Sequence, residues 1–345
     1  MKNILTMIIT LSLLSSVSLF STGSGEKPVS AYSGTKGRIT VYVSGPETML
    51  NKLEEVFEST EGDVLDLVQM GCGPLRQRVW TEYESGSIQA DVFWGSDPLI
   101  YNTLDAAGAL EPYTPPEADI LKPAFATEHN YILINERYGV VIYNREKLSG
   151  NEPSGYAALL DTVYRDRTVH ADPSQSSTGL ALVGGLWELM GRDWNYHRNL
   201  IENGLFLARK NSDVPSKILE GEFDAGIAPH DAVLRLRKKA QKEGYPIPLA
   251  ICWPEEGAIA IQRPLAISKN PMRPEENNRI ARRFADFMLS KKAQQITVQS
   301  GFVSVRKDLP VPPGIPEEIP VYRVDWDSLS EKQDAIRSGF SDLFE

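Results

Sequence analysis

Three times in succession, early in the chain, a β-rich run ends in a tight loop and hands over to a helix-forming run. Arg38-Ile39-Thr40-Val41-Tyr42-Val43 turns through Ser44-Gly45-Pro46-Glu47-Thr48 into a helix with Leu50, Leu53 and Phe57 on its apolar face. Val64-Leu65-Asp66-Leu67-Val68 ends in Gly71-Cys72-Gly73-Pro74, and the proline opens the helix that carries Arg76, Arg78 and Trp80. Ala90-Asp91-Val92-Phe93-Trp94 meets the loop Gly95-Ser96-Asp97-Pro98 and a helix through Leu104. Strands that alternate with helices in this way must lie parallel, because each helix is the crossover that returns the chain to the same end. The predicted fold class is therefore α/β, built on parallel-rich sheets. Ligands of such sheets sit beyond the carboxyl ends of the strands, so the loops at Ser44, Gly73 and Ser96 to Asp97 share one functional edge. Ser44, Glu47 and Thr48 stand where the first loop meets its helix, an end that suits an anion.

A fourth junction of this kind is the most suggestive. Thr168-Val169-His170-Ala171 reads as a strand, Asp172-Pro173-Ser174-Gln175 as a loop, and Ser176-Ser177-Thr178-Gly179 as the start of a long apolar helix. A helix N-terminus carries unpaired N–H groups and about half a positive charge, which suits a phosphate, phosphonate or carboxylate. The plainer reading is an ordinary N-cap, since Ser and Thr are favoured there. Three consecutive hydroxyls followed by glycine exceed what one cap requires, so Ser176, Ser177, Thr178 and Gly179 are predicted to hold an anion.

Further along, Gly139 to Asn144 reads as a long strand, and a second α/β region begins near Ser154. It contains a helix around Ile218 to Glu220, the strand Ala225 to Ala228 and a helix from Asp231. Ala258 to Ile261 and Leu265 to Ile267 then read as extended segments returning to the first region, followed by helices over Glu275 to Leu289 and Lys291 to Val298. Two crossings therefore join two lobes around a central cleft: residues 37–142 with 263–345 form lobe 1, and 143–262 form lobe 2. The proline-rich stretch Pro310 to Pro320 is expected to wrap the surface, and Leu329, Ile336 and Phe340 mark a last docked helix.

Charge and export signals narrow the class of partner. The 46 acidic against 36 basic residues argue against nucleic acid and anionic membrane surfaces as partners, and any positive potential must be local. Lys2, the apolar run Ile4 to Phe20 and the small residues Ser21 to Gly25 read as a signal peptide over residues 1–25, from which a periplasmic protein is expected, with an uncleaved anchor as the alternative. Cys72 and Cys252 are read as two free thiols.

In order along the chain stand Gln89-Ala90-Asp91-Val92-Phe93-Trp94-Gly95, Asp172-Pro173 with its Ser/Thr-Gly helix start, and Gly221-Glu222-Phe223-Asp224-Ala225-Gly226-Ile227. They are followed by Pro254-Glu255-Glu256-Gly257-Ala258-Ile259-Ala260 and Leu289-Ser290-Lys291-Lys292-Ala293-Gln294. With this set the chain resembles the type II periplasmic solute-binding proteins of ABC importers, in the branch of ferric-iron, phosphonate and sugar-phosphate binders. The resemblance implies a hinged receptor that closes on a solute and delivers it to an ABC permease of the inner membrane. It works as a monomer and needs no cofactor. Iron binders of this branch carry adjacent tyrosines where this chain has Pro229-His230-Asp231, a poorer cage for ferric iron. The resemblance therefore favours a small phosphorylated organic anion, a sugar phosphate or an aminoalkylphosphonate, with His230 and Asp231 meeting its organic part and iron as the alternative. Glu255 and Glu256, before the returning strands, are candidates to accept ligand hydroxyls or pair with an amine, or else they form a solvated turn. Arg76 and Arg78 are read as solvated helix residues, Trp94 as the better placed of two cleft platforms, and His129, His170 and His197 as structural. The chain has no nucleophile elbow, His-Glu-x-x-His or phosphate-binding Lys-Ser/Thr loop, so an enzyme is not expected. A solute sensor serving a membrane receptor is a further alternative to transport.

Overall fold

The predicted alternation of strand and helix is realised over residues 36–116 and 118–345, which the computed structural model describes. The expected signal peptide lies outside them. The three repeated units are β1 (Arg38–Val43) with α1 (Glu47–Glu61), β2 (Val64–Gln69) with α2 (Cys72–Glu84), and β3 (Val92–Trp94) with α3 (Pro98–Ala106). β1 lies between β2 and β3 and runs parallel to both. Helix α1 buries Met49, Leu50, Leu53, Val56 and Phe57, the apolar stripe read from the sequence. Each such side chain contributes about 1.5–3 kcal/mol when fully withdrawn from water. Gly62, in the left-handed region at φ 82°, ends this helix by returning its N–H to the Glu58 carbonyl.

The crossing begins with β4 (Ile132–Asn144), longer than the predicted Gly139 to Asn144. Its first half carries Asn135, Glu136 and Arg137, which hide the strand from a hydrophobicity reading. Glu136 is nevertheless fully buried. The second region follows as β5 (Thr168–Ala171), α4 (Ser177–Leu189), α5 (Asn195–Glu202), β6 (Phe206–Ala208), α6 (Asp213–Leu219), β7 (Ala225–Pro229), α7 (His230–Lys242) and β8 (Leu249–Cys252). The return is one continuous strand, β9 (Ala258–Ile267), where the sequence predicted two segments.

The remaining elements are α8 (Glu275–Leu289), α9 (Lys291–Gln299), β10 (Val303–Ser304), β11 (Val321–Arg323), α10 (Trp326–Glu331) and α11 (Gln333–Ser341). The sheet runs β2-β1-β3-β9-β4-β7-β5-β6, parallel at each end and joined in the middle by the long antiparallel pair β4 and β9. These two strands are the two crossings of a type II two-lobed fold.

Three core clusters support this layout. One gathers β1 to β3 with α1, α8 and α9; the other two line the opposite faces of the second region. The tail, expected in lobe 1, packs on both regions: Asp327 and Ser330 bond to Asn102 and Leu99 of α3, and its apolar side chains reach α4. Trp326, Leu329, Ile336 and Phe340 share a cluster with Leu180, Leu182 and Leu186 of α4. Gly184 makes this packing possible, because a Cβ there would come within 2.5 Å of the Leu329 side chain.

Candidate functional site

Beyond the carboxyl ends of β1, β3 and β5 lies a cavity of about 850 Å³, walled by residues from both regions and from the tail. The first region supplies Ser44, Cys72, Gly73, Arg76 and Trp80; β4 supplies Arg137. The second region supplies Pro173 to Thr178 and Arg209 to Ser212, and α11 supplies Gln333, Asp334 and Arg337. The two regions come close beside the cavity, where a Cβ on Gly73 would lie within 2.9 Å of the Gln175 carbonyl.

The start of α4 faces this space. Ser176 is its N-cap: the hydroxyl accepts the Gly179 N–H at 3.1 Å and a bond from the Asn211 amide. The Gly179 N–H is thereby used within the helix, and the residue is glycine for a packing reason, because a Cβ would meet the Ala171 carbonyl at 2.9 Å. Ser177 and Thr178 line the cavity while largely buried, and Thr178 donates a long bond of 3.5 Å to the Ser96 carbonyl. As residues of the first turn, their N–H groups have no intrahelical acceptor.

Ser44 also lines the cavity, its hydroxyl 3.0 Å from the Cys72 thiol, which is free, as is that of Cys252. Neither Glu47 nor Thr48 belongs to the wall; both stand exposed on the first turn of α1.

Several other residues read from the sequence lie one layer behind, each holding an arginine. Ser96 is buried and accepts from Arg263 Nε at 2.7 Å and from Arg137 at 3.4 Å. Asp97, also buried, pairs with Arg76 at 3.4 Å. Asp231 is fully buried between Arg137, at 3.0 Å, and Arg235. Burial alone would raise the Asp231 pKa, but the two guanidiniums outweigh it and hold the carboxyl well below the usual range.

His230 is buried too, and both ring nitrogens are engaged. Nδ1 accepts the Tyr138 N–H at 2.9 Å, and Nε2 faces the Gly301 carbonyl at 2.9 Å, the pattern of a neutral imidazole donating from Nε2. Burial, outweighing the Asp231 charge and these hydrogen bonds, lowers its pKa. Glu256 accepts the N–H groups of Tyr156 and Ala157 at 3.2 and 2.8 Å, capping a short helical turn, while Glu255 is exposed; neither lines the cavity.

Arginines are what the sequence reading missed. Arg76, expected to be solvated, lines the cavity and donates to Gln333 Oε1 at 2.5 Å. Arg78 remains exposed, paired with Glu82 at 2.9 Å. Arg137 was hidden by the polar half of β4, and Arg337 by a tail that no motif ties to the site. Trp80, not Trp94, reaches the cavity. Trp94 is buried and stacks 4.5 Å from the guanidinium of Arg263, which Phe302 covers on its other face at 4.4 Å. Arg263 is fully buried and forms no carboxylate pair among the described residues; burial, then the charge of Arg137, lowers its pKa to about 10. Its charge adds to the positive potential behind the cavity wall.

In sum of charge the wall carries Arg76, Arg137, Arg209, Lys210 and Arg337 against Asp334 alone among the described residues. In a chain of net charge −10 that concentration is local and directed. The wall is thus suited to binding an anion by hydroxyls, a helix N-terminus and guanidiniums.

Comparison with known proteins agrees with the geometry. Residues 90–332 match the family described as bacterial extracellular solute-binding protein. The periplasmic binding protein AfuA from Actinobacillus pleuropneumoniae, solved with fructose-6-phosphate bound, is similar at a TM-score of 0.75 and 21% identity, over 90% of this chain and 99% of that one. Iron-bound HitA from Pseudomonas aeruginosa is similar at 0.73 and 19%, over 88% and 99%. The substrate-binding protein of an ABC transporter from Agrobacterium tumefaciens is similar at 0.77 and 16%, over 92% and 97%. The resemblance read from the five ordered motifs is borne out. The chain belongs to the bacterial extracellular solute-binding proteins, a family of binding proteins rather than enzymes, and has the type II two-lobed fold.

Proposed function

We propose that the protein is the periplasmic receptor of an ABC importer and that its cleft takes a small phosphorylated organic anion, a sugar phosphate or an aminoalkylphosphonate. One observation carries this reading: a wall with five basic side chains and one acidic one surrounds the open first turn of α4. The phosphoryl oxygens take the hydroxyls of Ser177 and Thr178 and the free N–H groups of that turn, as charge-assisted bonds. Ser96, Asp97 and Asp231 serve the ligand through the arginines they hold. The bodies that close are residues 37–142 with 263–345, and 143–262, with the last helices bonded to α3 of the first and packed on α4 of the second. Closure needs only a higher affinity for the closed form.

Isothermal calorimetry of the mature protein with hexose phosphates, glycerol phosphates and aminoalkylphosphonates tests the reading. Binding by one of these classes is expected. If none binds while ferric iron does, the phosphoryl reading is wrong and iron replaces it. A permease and an ATPase encoded beside the protein favour transport; a histidine kinase there favours sensing.

A further inference from the structure

The tail takes part in the cavity wall in a way that the α4 junction does not require. Gln333 and Arg337 are one turn apart on α11 and line the same cavity. Arg337 donates to the Pro173 carbonyl at 3.2 Å and forms no ion pair among the described residues. Across from it, Arg76 of α2 donates to Gln333 and stands 3.4 Å from Asp97. Burial, then the charge of Arg76, lowers the Arg337 pKa, as expected of like charges that face one another.

This position is set by packing. Leu329, Ile336 and Phe340 are buried, Asp327 accepts from the Asn102 amide at 2.7 Å, and the Ser330 hydroxyl donates to the Leu99 carbonyl at 3.0 Å. Gly339 lies so close under Trp194 that a Cβ would come within 2.7 Å of the ring. Arg337, whose acceptor is a neutral carbonyl, thus lines the same cavity as Arg76, whose carboxylate is Asp97, and an anion seated between them would pair the guanidinium that has none among the described residues.

We propose that the ligand carries a second anionic group, besides the phosphoryl group at the α4 first turn, and that Arg76 and Arg337 hold it. This rests on the anion reading of the cleft and narrows it to compounds with two separated anionic groups. The second group is either another phosphoryl or a carboxylate, because a guanidinium fork fits both.

The test uses calorimetry on the mature chain with fructose 6-phosphate, fructose 1,6-bisphosphate and 3-phosphoglycerate at one ionic strength. At least one of the doubly anionic probes is expected to bind about tenfold more tightly than fructose 6-phosphate, a step of about 1.4 kcal/mol. Which of the two does so distinguishes phosphoryl from carboxylate. Arg337→Gln is expected to weaken the favoured probe about tenfold more than fructose 6-phosphate. Asp334→Asn, which removes the acidic group of the wall, is expected to tighten the favoured probe severalfold and supplies an independent readout should Arg337→Gln fold poorly. Equal affinity for all three probes, equal losses in Arg337→Gln, or no gain in Asp334→Asn overturns the second seat while leaving the first anion site standing. Binding of none of the three overturns the second seat, while the first anion site then stands or falls with the glycerol phosphates and aminoalkylphosphonates of the calorimetry above.

Discussion

The junctions β5 to α4 and β7 to α7 look alike in sequence: a short apolar strand, a proline, and polar residues opening a helix. In three dimensions they are opposites. At α4, Ser177 and Thr178 line a cavity, and the one bond of their hydroxyls among the described residues is the long one from Thr178 to the Ser96 carbonyl. At α7, His230 and Asp231 are fully buried, and their polar atoms bind Tyr138, Gly301, Arg137 and Arg235. A strand-to-helix junction becomes a ligand site only where neighbouring chain has not already consumed its donors and acceptors. α7 still matters to the ligand, because Asp231 holds Arg137, which does reach the cavity.

The largest expected effect comes from breaking the buried junction. Asp231→Ala leaves Arg137 and Arg235 without their carboxylate and should destabilise the protein by about 3 kcal/mol, since two charge-assisted bonds of about 1.5–3 kcal/mol each are lost. Guanidinium denaturation checks this. An unchanged midpoint would mean that Asp231 is dispensable to the fold, and the contrast between the junctions would collapse.

The open junction should respond in affinity instead. Ser177→Ala combined with Thr178→Val removes two side-chain donors of about 1.5–3 kcal/mol each and should weaken phosphoryl binding at least about 100-fold. Thermal melting should change little. A double variant that binds as tightly as the wild type reduces the α4 start to a cap.

Acid sharpens the comparison further. The folded pKa of His230 lies below its ordinary 6.5, burial being the main cause. Below about pH 6.5 the unfolded chain takes up a proton that the native imidazole refuses. The stabilising contribution is thus complete above that pH and is lost as pH falls toward the folded pKa, at no more than about 1.4 kcal/mol per pH unit. His230→Gln should flatten this part of the stability curve between about pH 7 and about pH 5. An identical slope in the variant would assign the acid sensitivity elsewhere, with His170 and His197, held at about 4 and about 3 by burial, as the next groups to replace.

Ser176→Ala should have the smallest effect. It removes the bond to the Gly179 N–H and should cost about 1 kcal/mol of stability. If affinity falls as far as in the Ser177 and Thr178 variant, Ser176 is a ligand contact as well as a cap.

What was legible in the sequence is what local periodicity and chain order dictate. The alternation of β-rich runs, tight loops and amphipathic helices determined a parallel-rich sheet and the edge on which its loops gather. The apolar stripe of α1 and the capping signature at α4 were likewise written locally, because strand alternation, helical spacing and caps depend on residues a few positions apart. Partners far apart in the chain were decided only by the tertiary structure. Nothing near Arg76 shows that Gln333 will meet it, and the charged first half of β4 looks like a loop until Arg323 pairs with Glu136, at 2.9 Å, and Asp231 with Arg137. The same physics placed Arg337 in the wall: Leu329, Ile336 and Phe340 are buried in one cluster with α4, and α11, which carries the last two, brings its arginine into the cleft. Burial of apolar surface is non-directional and long-range in sequence, so the chain alone shows that the tail will dock, and only the fold determines where.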